Sequence, residues 1–482
     1  MEKHFLSKST FIRGAQCLKS LYLHKKRPFL RDPLSAEQRA KFSRGSDVGV
    51  LARDLFPGGI NLQPKSPSQY RKAVLKTKEV IEEGKQDVIY EAAFQADGVL
   101  ILLDVLVRTD GKWKAYEVKS SKKISSTYLL DAALQYYVIT HAGIELEDFS
   151  LIHINPEYVL QDKLDLKLLF VQESVLKEVH DRQEYVKEQI EKEKEVLQFK
   201  HSPKIPIGKH CFSPYPCDFI GHCWKHLPEN SLFDLPQLSL EEKFDFYGSG
   251  LVSPAQLQGI VPESKLNSKL LNAQIQGEEY IDKEKVQRFI RPEGGSKAFI
   301  YILFNRPALP AIKGTRPYQL TPLAASVVKQ DGNESLENSQ VFINRVNAFE
   351  ECNTFLGHAL KGVSHLIIYD QPEIAEYLSL AETDLETEKM QFMNLHELLL
   401  NVFYYHPGLK SDHGLHNFSK HILKQDKHIF KSDTEAIMAT QDKMSRENKE
   451  IDHENTKLLD KYVRQQSRII KEFYHFLQDK SS

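Results

Sequence analysis

The stretch Val99–Val107 is apolar at every position except Asp104. A run of this kind is most readily buried as a strand, and an unpartnered carboxylate inside it is costly, so Asp104 demands a partner. Asp110-Gly111 follows, and then a second strand-like run, Trp113–Lys119. Two such runs around Asp-Gly predict a β-hairpin. Glu117 and Lys119 are two residues apart on the second arm and project from one face. The hairpin then brings Asp104 and Glu117 together with Lys119 beside them. Converging carboxylates repel unless a cation lies between them, and Mg²⁺ or Mn²⁺ suits an all-oxygen site. Such an ion activates water against a phosphate ester, while Lys119 orients the water or stabilises developing charge. The same spacing also serves a structural Asp–Lys ion pair with Glu117 on the surface.

The surrounding chain reads as an α/β core. Ser9-Thr10 is expected to cap a helix through Cys17 towards His24, with further helices at 70–85, 126–142 and 172–198. A short buried strand is expected at Ser150–Ile154. Residues 229–297 look like a polar helical linker module ending in Pro292-Glu293-Gly294-Gly295. Beyond it, Ala298–Phe304 and His365–Tyr369 read as strands and about 455–478 as a long helix. The expected division is 1–228, 229–297 and 298–482. No apolar run is long enough for a membrane span and no signal-peptide core is seen, so a cytoplasmic protein without membrane contact is expected. The net charge is -2, yet residues 1–75 hold 15 Lys+Arg against 5 Asp+Glu, a basic surplus suited to phosphates or simply to solvation.

Five cysteines in 482 residues do not form a secreted disulfide framework. Three of them, Cys211, Cys217 and Cys223, recur as C-x5-C-x5-C, the density of a metal site. Cys17 on the basic N-terminal helix is the natural fourth donor. Zn²⁺ and an iron–sulfur cluster both suit four thiolates, and His210 or His222 offers a substitute zinc ligand. Cys352 stands alone and is expected in a core.

Asp104 followed by Glu117-Val118-Lys119 resembles the PD-(D/E)xK signature, and within it the RecB-like nucleases of the iron–sulfur type, including the CRISPR-associated RecB-like exonucleases. The resemblance implies a restriction-endonuclease-like α/β core. Asp104, Glu117 and the Val118 carbonyl would be metal ligands, Lys119 the catalytic lysine, and Gln135 the glutamine of the helix near the active site. It implies a [4Fe–4S] cluster on Cys17, Cys211, Cys217 and Cys223, and metal-dependent hydrolysis of DNA at single strands or ends, in repair or defence. Two positions depart from the pattern: Ile139 stands where relatives often have Tyr, with Tyr136 and Tyr137 on other helix faces, and Gly49 stands where many carry a metal-binding His. The C-terminal part resembles a degenerate DnaQ-like exonuclease of the RNase H-like fold, through Pro307-Ala308-Leu309-Pro310, Gly314-Thr315-Arg316-Pro317-Tyr318-Gln319 and Tyr404-Tyr405-His406-Pro407-Gly408. Its acidic positions fall on Tyr301, Leu303, Asn394 and Gln466, leaving Asp370 and Glu373, so no cleavage is expected from it. Arg316, Tyr318, Tyr404 and Tyr405 are candidates for phosphate contact and base stacking, or for core packing. The chain has no helicase P-loop, so unwinding would come from a helicase or other partner at the C-terminal domain. The competing expectations are a DNA-binding scaffold that keeps the nuclease fold without cleaving and a zinc-stapled interaction protein.

Overall fold

The computed structural model describes residues 5–262, 266–290, 294–343, 346–380, 389–410, 412–444 and 449–482; the Pro292-Glu293 end of the expected linker lies outside them. The chain is mixed α/β and divides into two compact units, Met1–Lys225 with Pro307–Gln319, and His226–Arg306 with Leu320–Ser482. Residues 229–297 thus belong to the second unit, while Pro307–Gln319, expected in the C-terminal domain, belongs to the first.

The first unit is built on strands β1 (Leu6–Ser7), β2 (Ile60–Asn61), β3 (Val88–Ala96), β4 (Val99–Thr109), β5 (Lys112–Lys119), β6 (Leu146–Ile154) and β7 (Phe170–Ser174). They form one sheet in the order β2-β3-β4-β5-β6-β7. The β4–β5 hairpin turns at Asp110 (φ 51°) and Gly111 (φ 80°), the two left-handed residues that a tight two-residue turn requires. The β4–β5 ladder runs from Thr109↔Lys112 to Val105↔Tyr116 and stops there. The same edge of β4 is then taken by β1, at Val99 and Leu100, because β3 fills the opposite edge throughout. Ile101–Asp104 therefore lie where β5 peels away and β1 has not yet begun. Past this fork β5 continues in parallel pairing with β6 as far as Lys119↔His153.

Helix α1 (Lys8–Gln16) leaves β1 directly. Its cap is Ser7, which shares a capping box with Thr10, rather than Ser9-Thr10 as expected. The expected single helix to His24 is broken at Cys17, whose backbone is extended (φ -164°, ψ 114°), and resumes as α2 (Leu18–Lys26). Helices α3 (Ala36–Ala52) and α4 (Tyr70–Glu83) follow, and α5 (Ser126–His141) is the crossover between the parallel strands β5 and β6. The expected helix 172–198 is in fact β7 followed by Leu176–His180 and Gln183–Val196. The free edge of β6 pairs with Phe170 and Val171, residues whose shape suits a half-buried strand, and this overrides the helical pattern. Pro307–Gln319 docks through backbone bonds from Gly314 N to Leu160 O (2.8 Å) and from Leu160 N to Thr315 O (2.9 Å). Tyr318 also donates its hydroxyl to the Ser120 carbonyl. Ala308 is buried in a cluster with Ile152, Tyr158 and Phe170.

The second unit holds a five-stranded sheet of β9 (Lys297–Asn305), β10 (Thr321–Asp331), β11 (Glu334–Val341), β12 (His365–Ile368) and β13 (Gln391–Asn394), in the order β11-β10-β9-β12-β13. The first three strands are antiparallel, while β12 and β13 run parallel to β9. A separate pair joins β8 (Tyr280–Ile281) to β14 (Tyr404–Tyr405). The final helix, Lys449–Ser481, is longer than expected and sets Val463, Ile470 and Phe473 against Phe299, Tyr301 and Leu303 of β9. Among the described residues, no helix is long and apolar enough to cross a membrane.

Candidate active site and thiol pocket

The fork in the first sheet organises a set of charged side chains. Continuing the β4–β5 register one step past its last pair sets Asp104 opposite Glu117. Asp104 Oδ2 accepts the backbone N–H of Val118 at 2.7 Å, a donor that the separated strands leave available. Glu117 is almost fully buried; its Oε1 accepts from Lys8 Nζ and Lys119 Nζ, both at 2.7 Å, and its Oε2 has no partner. Lys119 Nζ also donates to Asp131 Oδ2 at 2.5 Å and lies 5.3 Å from the centre of the Tyr128 ring. Both Asp131 and Tyr128 are on α5, which the crossover carries past the end of β5. One turn beyond Asp131, Gln135 is fully buried with neither amide atom hydrogen-bonded, and Asp131 Oδ1 is unpartnered as well. Buried polar atoms are satisfied as a rule, so this concentration of unsatisfied oxygens and amide groups marks a place where a further polar species fits.

The sequence reading missed Lys8, Asp131, Tyr128 and Glu91. Glu91 lies on β3 between Tyr90↔Val105 and Ala92↔Leu103, which places it in register with Asp104. Glu91, Asp104 and Glu117 thus form a row across three adjacent strands. Glu91 has a left-handed backbone (φ 55°) and pairs with Arg53 Nη2 at 2.6 Å. A non-glycine residue held there within a strand is strained, as happens at functional sites. Its row position was hidden in a largely apolar strand that also holds Gln95, and no spacing rule singles it out.

The electrostatics separate the two central carboxylates. Burial, followed by the charge of Glu117, pushes Asp104 up to about 7. Burial acts on Glu117 in the same direction, but the charges and hydrogen bonds of Lys119 and Lys8 together outweigh it and hold Glu117 at about 2. Both lysines are held above their ordinary value, because the neighbouring carboxylates outweigh the effect of burial.

Asp104, Glu117 and the Val118 carbonyl are oxygen donors of the kind Mg²⁺ or Mn²⁺ takes, and the unpartnered Glu117 oxygen has a lone pair to give. The Gly49 position offers no imidazole: it lies on α3 with open space around it, while Gly45 of the same helix approaches the Ser120 hydroxyl. Tyr137 donates to Asp97 at 2.8 Å and Tyr136 pairs with His180, so both side chains are engaged elsewhere. Among the described residues, no three His, Cys, Asp or Glu side chains are already close enough to hold a metal ion as they stand.

Cys17, Cys211, Cys217 and Cys223 all line one cavity of about 20 Å³, together with His210; His222 is not part of it. Lining a common cavity is a weaker condition than ligation; none of the four is in a disulfide, and Cys217 Sγ donates to the Ser20 hydroxyl at 3.4 Å. The donor set nevertheless fits a four-thiolate centre. The break between α1 and α2 falls at Cys17, the one N-terminal cysteine of this lining. Burial raises the thiols of Cys17 and Cys223 above their ordinary value. The two ends of this region are joined by polar links as well. Gln16 Nε2 donates to the carbonyls of His210 and Tyr215, both at 2.7 Å, and Arg13 and Arg31 pair with Asp218 at 2.6 and 2.7 Å. Part of the basic N-terminal surplus is thereby spent inside the fold. Cys352 is buried in the second unit and does not line this cavity.

In the second unit, Tyr301 and Tyr462 both donate to Asp433 Oδ1, and burial raises the Asp433 carboxyl. A tyrosine thus stands at the first-strand position where the resemblance expected an acid, and Leu303, two residues on, is fully buried. Asp370 pairs with His396 at 3.0 Å and Glu373 with Arg306 at 3.6 Å. Asn394 Oδ1 accepts the N–H groups of Asp370 and His396, and Gln466 is buried. Tyr404 and Tyr405 are buried, Tyr404 donating to Glu279 at 2.7 Å, so of the two alternatives, base stacking and core packing, they take the second. Arg316 is ion-paired with Glu157 at 3.0 Å.

The chain matches no protein-family model and no curated protein sequence.

Proposed function

We propose that the first unit is a metal-dependent deoxyribonuclease with a PD-(D/E)xK-like, RecB-like core, acting on single-stranded DNA or DNA ends. The observation that carries this reading is the state of Glu117. One of its oxygens is gripped by two ammonium groups, and the other is buried and unpartnered beside Asp104. In this reading Asp104, Glu117 and the Val118 carbonyl hold Mg²⁺ or Mn²⁺. When bound, the cation supplies Lewis-acid activation of the phosphodiester and of water. Lys119, fixed between Glu117 and Asp131, faces the charge that builds on the phosphorus oxygens. Gln135, with both amide atoms free, orients the nucleophilic water or the phosphate. The four thiols hold a [4Fe–4S] cluster, with Zn²⁺ the alternative, that ties α1 and α2 to the 208–224 patch. For the second unit, the strand order β11-β10-β9-β12-β13 supports an RNase H-like fold. With Tyr301 and Leu303 in place of first-strand acids, we read it as a non-catalytic module that binds nucleic acid or a protein partner.

A second reading, a DNA-binding scaffold without cleavage, is favoured by one observation: Lys8 and Lys119 already neutralise Glu117. A time course on labelled single-stranded DNA with Mn²⁺ separates the two. Asp104→Asn keeps the acceptor for Val118 N–H but loses the charge, and is expected to cut at least about a hundredfold more slowly. Equal rates for parent and variant refute the nuclease reading, and no cleavage by the parent favours the scaffold.

A further inference from the structure

Lys8 is the first residue of α1, immediately after the Ser7 cap. A cation there faces the positive end of the helix dipole, and no acidic residue occupies the first turn to offset it. Local helix energetics therefore disfavour a lysine at this position, and its placement has to be explained across the sheet. Its ammonium lies 2.7 Å from Glu117 Oε1, the oxygen that also takes Lys119. The two lysines differ in how they are held. Lys119 is bound to two carboxylates, Glu117 and Asp131, and its side chain is 15% exposed. Lys8 is hydrogen-bonded to Glu117 alone among the described contacts, and its side chain is 29% exposed, at the solvent side of a carboxylate that is 3% exposed.

We propose that Lys8 is a resident stand-in for the divalent cation: it neutralises Glu117 while the site is metal-free, and exchanges onto the phosphate of a nucleic acid when the cation takes its place. The inference rests on the metal-dependent reading of this site. A long, flexible side chain with one partner is the group free to move, whereas the doubly bound Lys119 stays. Lys8 then serves first as a competitor of the metal and afterwards as a positioning residue for substrate.

The test is Mn²⁺ binding to the full chain without DNA, by calorimetry, for the parent, Lys8→Gln and Asp104→Asn. Removal of one unit charge a few ångströms from a divalent ion, at near-water dielectric, is expected to tighten Mn²⁺ binding roughly tenfold in Lys8→Gln. Its turnover on single-stranded DNA should fall at saturating Mn²⁺. A companion measurement on the parent alone does not depend on the variant folding: amine acylation followed by mass spectrometry. Labelling of Lys8 should rise several-fold on addition of Mn²⁺, while labelling of Lys119 stays constant. If the parent binds Mn²⁺ and Asp104→Asn does not, but Lys8→Gln binds no more tightly or Lys8 labelling is unchanged, the exchange is refuted. If the parent does not bind Mn²⁺, or Asp104→Asn binds as the parent does, the metal reading itself fails.

Discussion

Glu193 provides a quantitative check on how the N-terminal helix is seated. It lies on Gln183–Val196, fully buried, where Gln189 Nε2 donates to its Oε1 at 2.9 Å and its Oε2 has no partner. Its carboxyl rests on α1 at Gly14, where an added Cβ would come within 2.3 Å of Glu193 Cδ. Burial pushes Glu193 up to about 9 from an ordinary 4.5, against the smaller opposing effect of the Gln189 bond. Between these values the folded chain keeps a proton that the unfolded chain releases, so stability falls as pH rises. The slope is about 1.4 kcal/mol per pH unit, which amounts to roughly 3 kcal/mol between pH 4.5 and 7. Glu193→Gln has nearly the same shape, still accepts from Gln189 and cannot ionise. The variant should therefore be about 2–3 kcal/mol more stable than the parent at pH 7, more so at 8.5, and nearly equal to it below 4.5. The assay is urea unfolding followed by tryptophan fluorescence. The chain's 2 tryptophans, Trp113 and Trp224, both belong to the first unit, so the signal reports that unit alone. A gain that stays constant from pH 5 to 8.5, or a variant less stable than the parent at 8.5, would show that Glu193 is not a buried neutral acid.

Two other perturbations follow from the first unit. On the proposed iron–sulfur cluster, Cys217→Ser should abolish iron content and visible absorbance and lower stability by several kcal/mol, because metal binding at a structural site is coupled to folding, whereas Cys352→Ser should leave the metal content unchanged. Zinc without iron in anaerobically purified protein would overturn the cluster assignment. A chain ending at 228 lacks Pro307–Gln319 and uncovers Tyr158 and Phe170, so it should unfold at lower urea than 1–225 linked to 307–319; equal midpoints would refute the role of that segment.

What the sequence made legible was local. The β4–β5 hairpin was readable because an Asp-Gly turn and two apolar arms lie within about twenty residues, and α5 because Ser126–His141 is a long, largely apolar segment without Gly or Pro, longer than a strand. Lys8 and Glu91 were not readable, since their place beside Glu117 depends on β1 inserting in parallel next to β4 and on the β3 register, both set by long-range pairing. Asp131 requires knowing how the β5–β6 crossover lays α5 over the strand end. The 172–198 region misled because its charged helical pattern is genuine from Gln183 onward, while the start of the segment is claimed by the free edge of β6. The buried Tyr404 and Tyr405 look the same in sequence as exposed stacking tyrosines; only burial distinguishes them.

The return of Pro307–Gln319 to the first unit has a consequence for biosynthesis. As the chain leaves the ribosome, Tyr158 and Phe170 emerge well before the segment that covers them, and residues 226–306, which belong to the other unit, intervene. At ordinary translation rates of about 5–20 residues per second, the 138 residues from Phe170 to Ala308 make that delay roughly 7–28 s. During this interval the nascent first unit presents an uncovered apolar surface, a natural docking place for a chaperone. Rare codons within 226–306 would lengthen the exposure, so synonymous changes there should alter the soluble yield of a protein whose amino-acid sequence is untouched.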